Sequence, residues 1–127
     1  VEPLPVLVVD AANVLGSRPD GWWKDRAGAT RRLLERIGRW AEQESEWRVI
    51  AVVEGRARGA ADSEWGPYLQ VIAANGSGDD AIVDLVDELT GSERTLHITV
   101  VTSDRGLQGR LSTPTVGASW LRDRLPE

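Results

Sequence analysis

The chain has no cysteine and a single histidine, His97. Without cysteine, disulfides, thiol nucleophiles and Cys-based zinc clusters are excluded. One histidine excludes a multi-histidine metal site. Lys24 is the only lysine beside fourteen arginines, which leaves a lysine-dependent mechanism one poor candidate. No apolar run approaches the roughly 18 to 20 residues that a membrane span needs, so no membrane partner is expected. No basic-then-apolar leader precedes the first strand, and a cytoplasmic location is the expectation. Positive charge is also short: fifteen basic residues face twenty acidic ones, a net charge of −5. That argues against a protein that coats nucleic acid by bulk charge, and leaves a locally basic site open.

What is present reads as one soluble domain over residues 1–127, with 41% hydrophobic and 28% charged residues. Pro3 to Val9 ends in an apolar, β-branched run closed by Asp10, the pattern of a strand buried on both faces. Residues 11 to about 27 carry Gly16, Pro19 and Gly21 and predict a loop. Thr30, Leu33, Leu34, Ile37, Trp40 and Ala41 then fall at helical spacing. Arg48–Val53, Tyr68–Ala73 and His97–Thr102 predict three more strands, with residues 56–67 as a loop and Asn75–Gly78 as a turn. Ile82, Leu85, Val86 and Leu89 make a second apolar helix face. A short helix after Ser103-Asp104, a short strand from Thr115 to about Gly117 and a last helical turn near Trp120 complete the chain. Strands alternating with helices predict a three-layer α/β/α sandwich around a parallel sheet of four to five strands.

In such a sheet, ligands bind outside the carboxyl ends of the strands. Each of the four main predicted strands leads to acid at that edge: Asp10, Glu54, Asp79-Asp80 and Asp104. Clustered carboxylates repel, and burying them unpaired is costly. A divalent cation resolves the conflict, and an all-oxygen donor set selects Mg²⁺ or Mn²⁺ over zinc. Such an ion bridges phosphate oxygens, which points to a phosphodiester or polyphosphate substrate. The competing explanation is helix capping, because Asp and Ser are favoured N-caps and these acids sit near helix starts. Glu54, which precedes a loop, is the weakest member and could face solvent. Asp79 lies three before Ile82 and seven before Val86, on the inward side of its helix. Asp80, Asp84 and Asp87 share another face. Asp79 is therefore the preferred ligand, Asp80 the second, and Asp84 an outer candidate.

Basic residues gather in the same loops: Arg18, Lys24 and Arg26 after the first strand, Arg56 and Arg58 after the second, and Arg105 beside Asp104. A rim of arginine suits a phosphate backbone. Trp22-Trp23 either stacks on unpaired bases or closes over the core. Gly76-Ser-Gly78-Asp-Asp-Ala81 matches the dinucleotide fingerprint, but the pyrophosphate would meet Asp79 and Asp80. There is no P-loop. His97 starts a strand at the opposite edge, which leaves Ser-His-Asp catalysis without its base.

At this point the chain resembles the NYN family, a branch of the PIN-like nucleases, and within it small actinobacterial members. Val8-Val-Asp10-Ala-Ala-Asn13 is similar to the family's D-G-x-N opening. Gly78-Asp79-Asp80-Ala-Ile82-Val-Asp84 resembles its central acidic helix start, and Thr102-Ser103-Asp104 its [ST]-[SG]-D motif. Ala11 stands where the family has glycine, and Glu54-Gly55 stands where relatives often have an acid-Gly or Ser-Gly step, which leaves the role of Glu54 open. The resemblance implies a PIN-like fold and a divalent-metal phosphodiesterase, usually acting on RNA. It carries the metal and catalytic roles onto Asp10, Asp79 or Asp80, and Asp104, with Asn13 and Ser103 supporting those ligands or orienting the phosphate. Arg105 or Arg56 would help neutralise the phosphate. A homodimer or a protein partner stays open. Two alternatives stand beside the metal-dependent ribonuclease: a non-catalytic module binding RNA or protein, and a hydrolase of nucleotide polyphosphates.

Overall fold

The computed structural model describes residues 4–91 and 97–126; Pro3, placed by the sequence in the first strand, lies outside them. Five parallel strands form one sheet: β1 (Val6–Asp10), β2 (Arg48–Val53), β3 (Leu69–Ala73), β4 (Ile98–Val101) and β5 (Thr115–Val116). Their order is β3-β2-β1-β4-β5. The chain winds outward from β1 to β3 and then returns to the other side of β1, so the strand order reverses between β1 and β4. Among the described residues five α-helices flank the sheet: α1 (Ala11–Gly16), α2 (Arg26–Glu44), α3 (Gly78–Thr90), α4 (Arg105–Arg110) and α5 (Ala118–Arg122).

Strand alternation divides the core in two. Leu7, Val9, Val49, Ala51 and Val53 face the layer of α1, α2 and α5, where Leu33, Leu34, Ile37 and Leu121 meet them. Val6, Val8, Ile50, Val52 and Val100 face α3 and α4, against Ile82, Val86 and Leu107. This is the three-layer α/β/α sandwich that the sequence predicts, with both faces of the sheet covered as parallel strands require.

Two segments differ from the sequence reading. The predicted loop at 11–27 contains α1 and a 3₁₀ turn at Trp22–Lys24. Asp10 caps α1 by accepting from the Asn13 amide at 3.2 Å, and Ala11, Val14 and Leu15 bury its inner face. The predicted loop at 56–67 is mostly a 3₁₀ run, Gly55–Asp62, held inward by Ala57 and Ala60. Both are too short for periodicity to reveal. Among the described residues no helix is long and apolar enough to cross a membrane.

Candidate active site

The same alternation that builds the core aims the acids. Val6 and Val8 face α3 and α4, so Asp10, at the same parity, points to that side. Val52 shares this face and pairs with Asp10 in register, which puts Glu54 one pleat further along the same side. Val9 pairs with Val101, so Thr102 stands level with Asp10. Its hydroxyl donates to Asp10 Oδ2 at 3.0 Å and accepts from the Asp104 amide at 3.2 Å. Thr102 thus ties the two acids that flank the strand-order reversal. The sequence reading missed this role; its one signal was a hydroxyl residue closing an apolar strand two residues before Asp104.

The acids reach the edge by different routes. Asp10 is 5% exposed. Asp104 caps α4, its Oδ1 accepting from Leu107 N at 3.1 Å. Asp79 lies in the first turn of α3, half-buried, and Glu54 accepts from the Gly78 amide at the start of that helix. The solvent-facing alternative for Glu54 is therefore corrected: its carboxylate folds back onto a helix N-terminus, where the aligned amides favour negative charge. Gly78 leaves room for it, because a Cβ there would sit 2.9 Å from Glu54 Oε2.

The electrostatics link these groups. Burial pushes the Asp10 carboxyl above its ordinary pKa, and the charges of Asp79 and Glu54 add to that rise. Hydrogen bonds from Asn13 and Thr102 oppose it. Asp79 is raised first by burial, then by Asp104 and Glu54, with Arg110 pulling the other way. Asp10, Glu54, Asp79 and Asp104 thus form one field of mutual repulsion. Among the described residues, no three acidic or histidine side chains stand close enough to hold one ion directly. The donors are all hard oxygens, the chemistry that Mg²⁺ and Mn²⁺ take. Mg²⁺ keeps several of its waters and needs only one or two carboxylates. On donor chemistry, the residues fit such an ion.

The remaining sequence candidates fall elsewhere. Asp80 is exposed and paired with Arg110 of α4 at 2.8 Å, which holds its carboxyl below the usual range. Asp84 is exposed one turn further along α3. Asn13 Oδ1 accepts from Ser103 N at 2.8 Å, and Ser103 Oγ accepts from Ala118 N at 2.8 Å. Both side chains join backbone segments of the same edge, binding α1, α4 and α5 together. Arg56 and Arg105 are exposed at this end of the sheet. Arg110 went unremarked in the sequence, because its relation to Asp80 and Asp79 exists only once α4 packs beside α3.

Capping and clustering are therefore properties of the same side chains, and substitution separates them. Asp104→Asn retains an oxygen for Leu107 N, whereas Asp104→Ala removes it and should cost about 1 kcal/mol of stability in urea unfolding. Both changes relieve the same repulsion, so equal stability of the two variants would contradict the capping geometry.

No family model and no curated protein matches the chain. Solved structures do. Rae1 (YacP) from Bacillus subtilis superposes with a TM-score of 0.72 at 22% identity, over 94% of this chain and 73% of that one. A single-substitution variant of the same protein gives 0.71 at 23% identity, over 94% and 74%. At such identity the likeness is one of fold, the α/β/α sandwich.

Proposed function

We propose that this chain is a divalent-metal-dependent phosphodiesterase acting on RNA, single-stranded or structured. One observation carries the reading: Asp10, Glu54, Asp79 and Asp104 come from four separate segments to the edge beside the strand-order reversal, where neighbouring carboxylate charges add to the rise of the Asp10 and Asp79 carboxyls. A fold does not keep mutually repelling carboxylates at its ligand-binding edge for stability. Mg²⁺ or Mn²⁺ would be held directly by one or two of Asp10, Asp79 and Asp104 and through its own waters by the others, with Glu54 beside them. When bound, the ion supplies an activated water and offsets charge on the departing oxygen. Thr102 fixes the Asp10 carboxylate relative to Asp104. Arg105 and Arg56 are placed to meet the phosphate from solvent. Asp80, engaged by Arg110, acts as the outer wall of the site rather than as a ligand.

A second reading has its own support. The carboxylates do not converge into a ready-made ligand set, as expected of a module that binds RNA or protein without cleaving it. Cleavage of single-stranded RNA with Mn²⁺, by the wild type and by Asp10→Asn and Asp104→Asn, separates the two. Loss of cleavage in both variants supports hydrolysis. Unchanged cleavage in both removes the assignment.

A further inference from the structure

A second concentration of charge lies at the end of α1 away from Asp10. Arg122 of α5 is 7% exposed. Its Nε donates to Ser17 Oγ at 2.7 Å and to the Val14 carbonyl at 3.1 Å. Its Nη2 donates to the Val14 and Leu15 carbonyls at 2.7 and 3.2 Å. Arg122 thus caps the C-terminus of α1, whose carbonyls offset part of its charge without neutralising it. Among the described residues Arg122 has no carboxylate within salt-bridge reach; the one ion pair is Arg110–Asp80. A buried guanidinium without a counter-charge is costly, more so with cations beside it. Arg18 and Arg36 add to the burial that lowers its pKa, and only Asp20 opposes them.

Beside Arg122 is a cavity of about 280 Å³, which Arg32, Arg36, Trp22, Asp20 and Leu33 also line. Three arginines against one aspartate leave an excess of two positive charges. The volume falls just below the ~300 to 1,000 Å³ of drug-sized pockets and admits a phosphate group. Guanidinium forks are the side chains that match phosphate geometry. Trp22, which lines the cavity, packs edge-to-face on Trp23 with centroids 5.8 Å apart, and Trp23 is 55% exposed. A helix of six residues is about 9 Å long, so one strand can reach from this cavity to Asp10.

We propose that the Arg32–Arg36–Arg122 cavity is a subsite for a phosphate of single-stranded RNA, distinct from the carboxylates, with Trp23 as the stacking surface for the adjoining base. The inference takes its class of ligand from the function proposed above, but makes a separate claim about binding.

The test is fluorescence anisotropy of a labelled oligouridylate in EDTA, so that binding is read without hydrolysis. Arg32 and Trp23 are both exposed, which keeps their substitution clear of the core. Arg32→Ala and Trp23→Ala should each weaken binding by about tenfold, the scale of one stacked base. Arg32→Ala should also reduce the salt dependence by about 0.7 in the log–log slope. Wild-type affinity and slope in both variants would overturn the subsite, even if Mn²⁺-dependent cleavage is intact. So would a nucleoside monophosphate that binds as tightly as the oligouridylate, or no binding of RNA at all. Binding that depends on Arg32 and Trp23 in a protein that never cleaves RNA would uphold the subsite and remove the hydrolytic reading alone.

Discussion

Asp10→Asn is expected to lower Mn²⁺-dependent RNA cleavage by about 10³-fold, because losing the anionic ligand forfeits several kcal/mol of transition-state stabilisation. The substitution is nearly isosteric. Its Oδ1 still accepts from Asn13 N, so α1 keeps its cap. What changes is the charge and the atom that Thr102 meets, since Asp10 Oδ2 accepts the threonine hydroxyl. A folded, capped protein with lost activity would place the effect in the carboxylate's charge. Single-turnover cleavage of a labelled single-stranded RNA, beside a melting curve for each variant, measures both. Activity within a few-fold of wild type would show that Asp10 serves the helix alone.

Asp79→Asn is expected to make the metal-free protein more stable at neutral pH and less active. Asp79 is raised by burial first, then by the charges of Asp104 and Glu54. A carboxyl raised in the folded state favours folding while it is protonated. That contribution is fully present below the ordinary carboxylate pKa, and is lost as pH rises through the raised folded value. At neutral pH the ionised group therefore works against the fold. Removing its charge should recover about 1 kcal/mol, a modest figure because solvent screens a partly exposed group. That corresponds to about 4 °C in melting temperature for a chain of this size. The gain should vanish in acid, where the wild-type carboxyl is already neutral. Mn²⁺ should raise the wild-type melting temperature by binding the native state, and raise that of Asp79→Asn less. A variant that melts lower at neutral pH, or that keeps full activity, would contradict the repulsive cluster.

Much of the fold could be read from the chain because its strands are long apolar runs and its two main helices have clear stripes. Val6–Val9 and Arg48–Val53 have no other easy solution than burial on both faces. Helix α1 was hidden because six residues hold fewer than two turns, and because Gly16 and Pro19 signal a loop from the same stretch. Helical phase separated Asp79 from Asp80, and the two acids do lie in different surroundings: one among carboxylates, the other on Arg110. Glu54 was hard to place because its partner, the Gly78 amide, is 24 residues away and meets it only through the pairing of β2 with β3. Arg122 gave no signal at all. Its surroundings are carbonyls of α1 more than 100 residues earlier, and backbone acceptors leave no mark on composition.

Calorimetric titration with Mn²⁺ at neutral pH, of the wild type and of Asp10→Asn, tests the central claim most directly. The wild type should bind the ion at millimolar concentration or below, and Asp10→Asn should bind it at least about tenfold more weakly, since metal affinity rests on deprotonated ligands. No binding by the wild type, or equal binding by both, would contradict a cation held among these carboxylates.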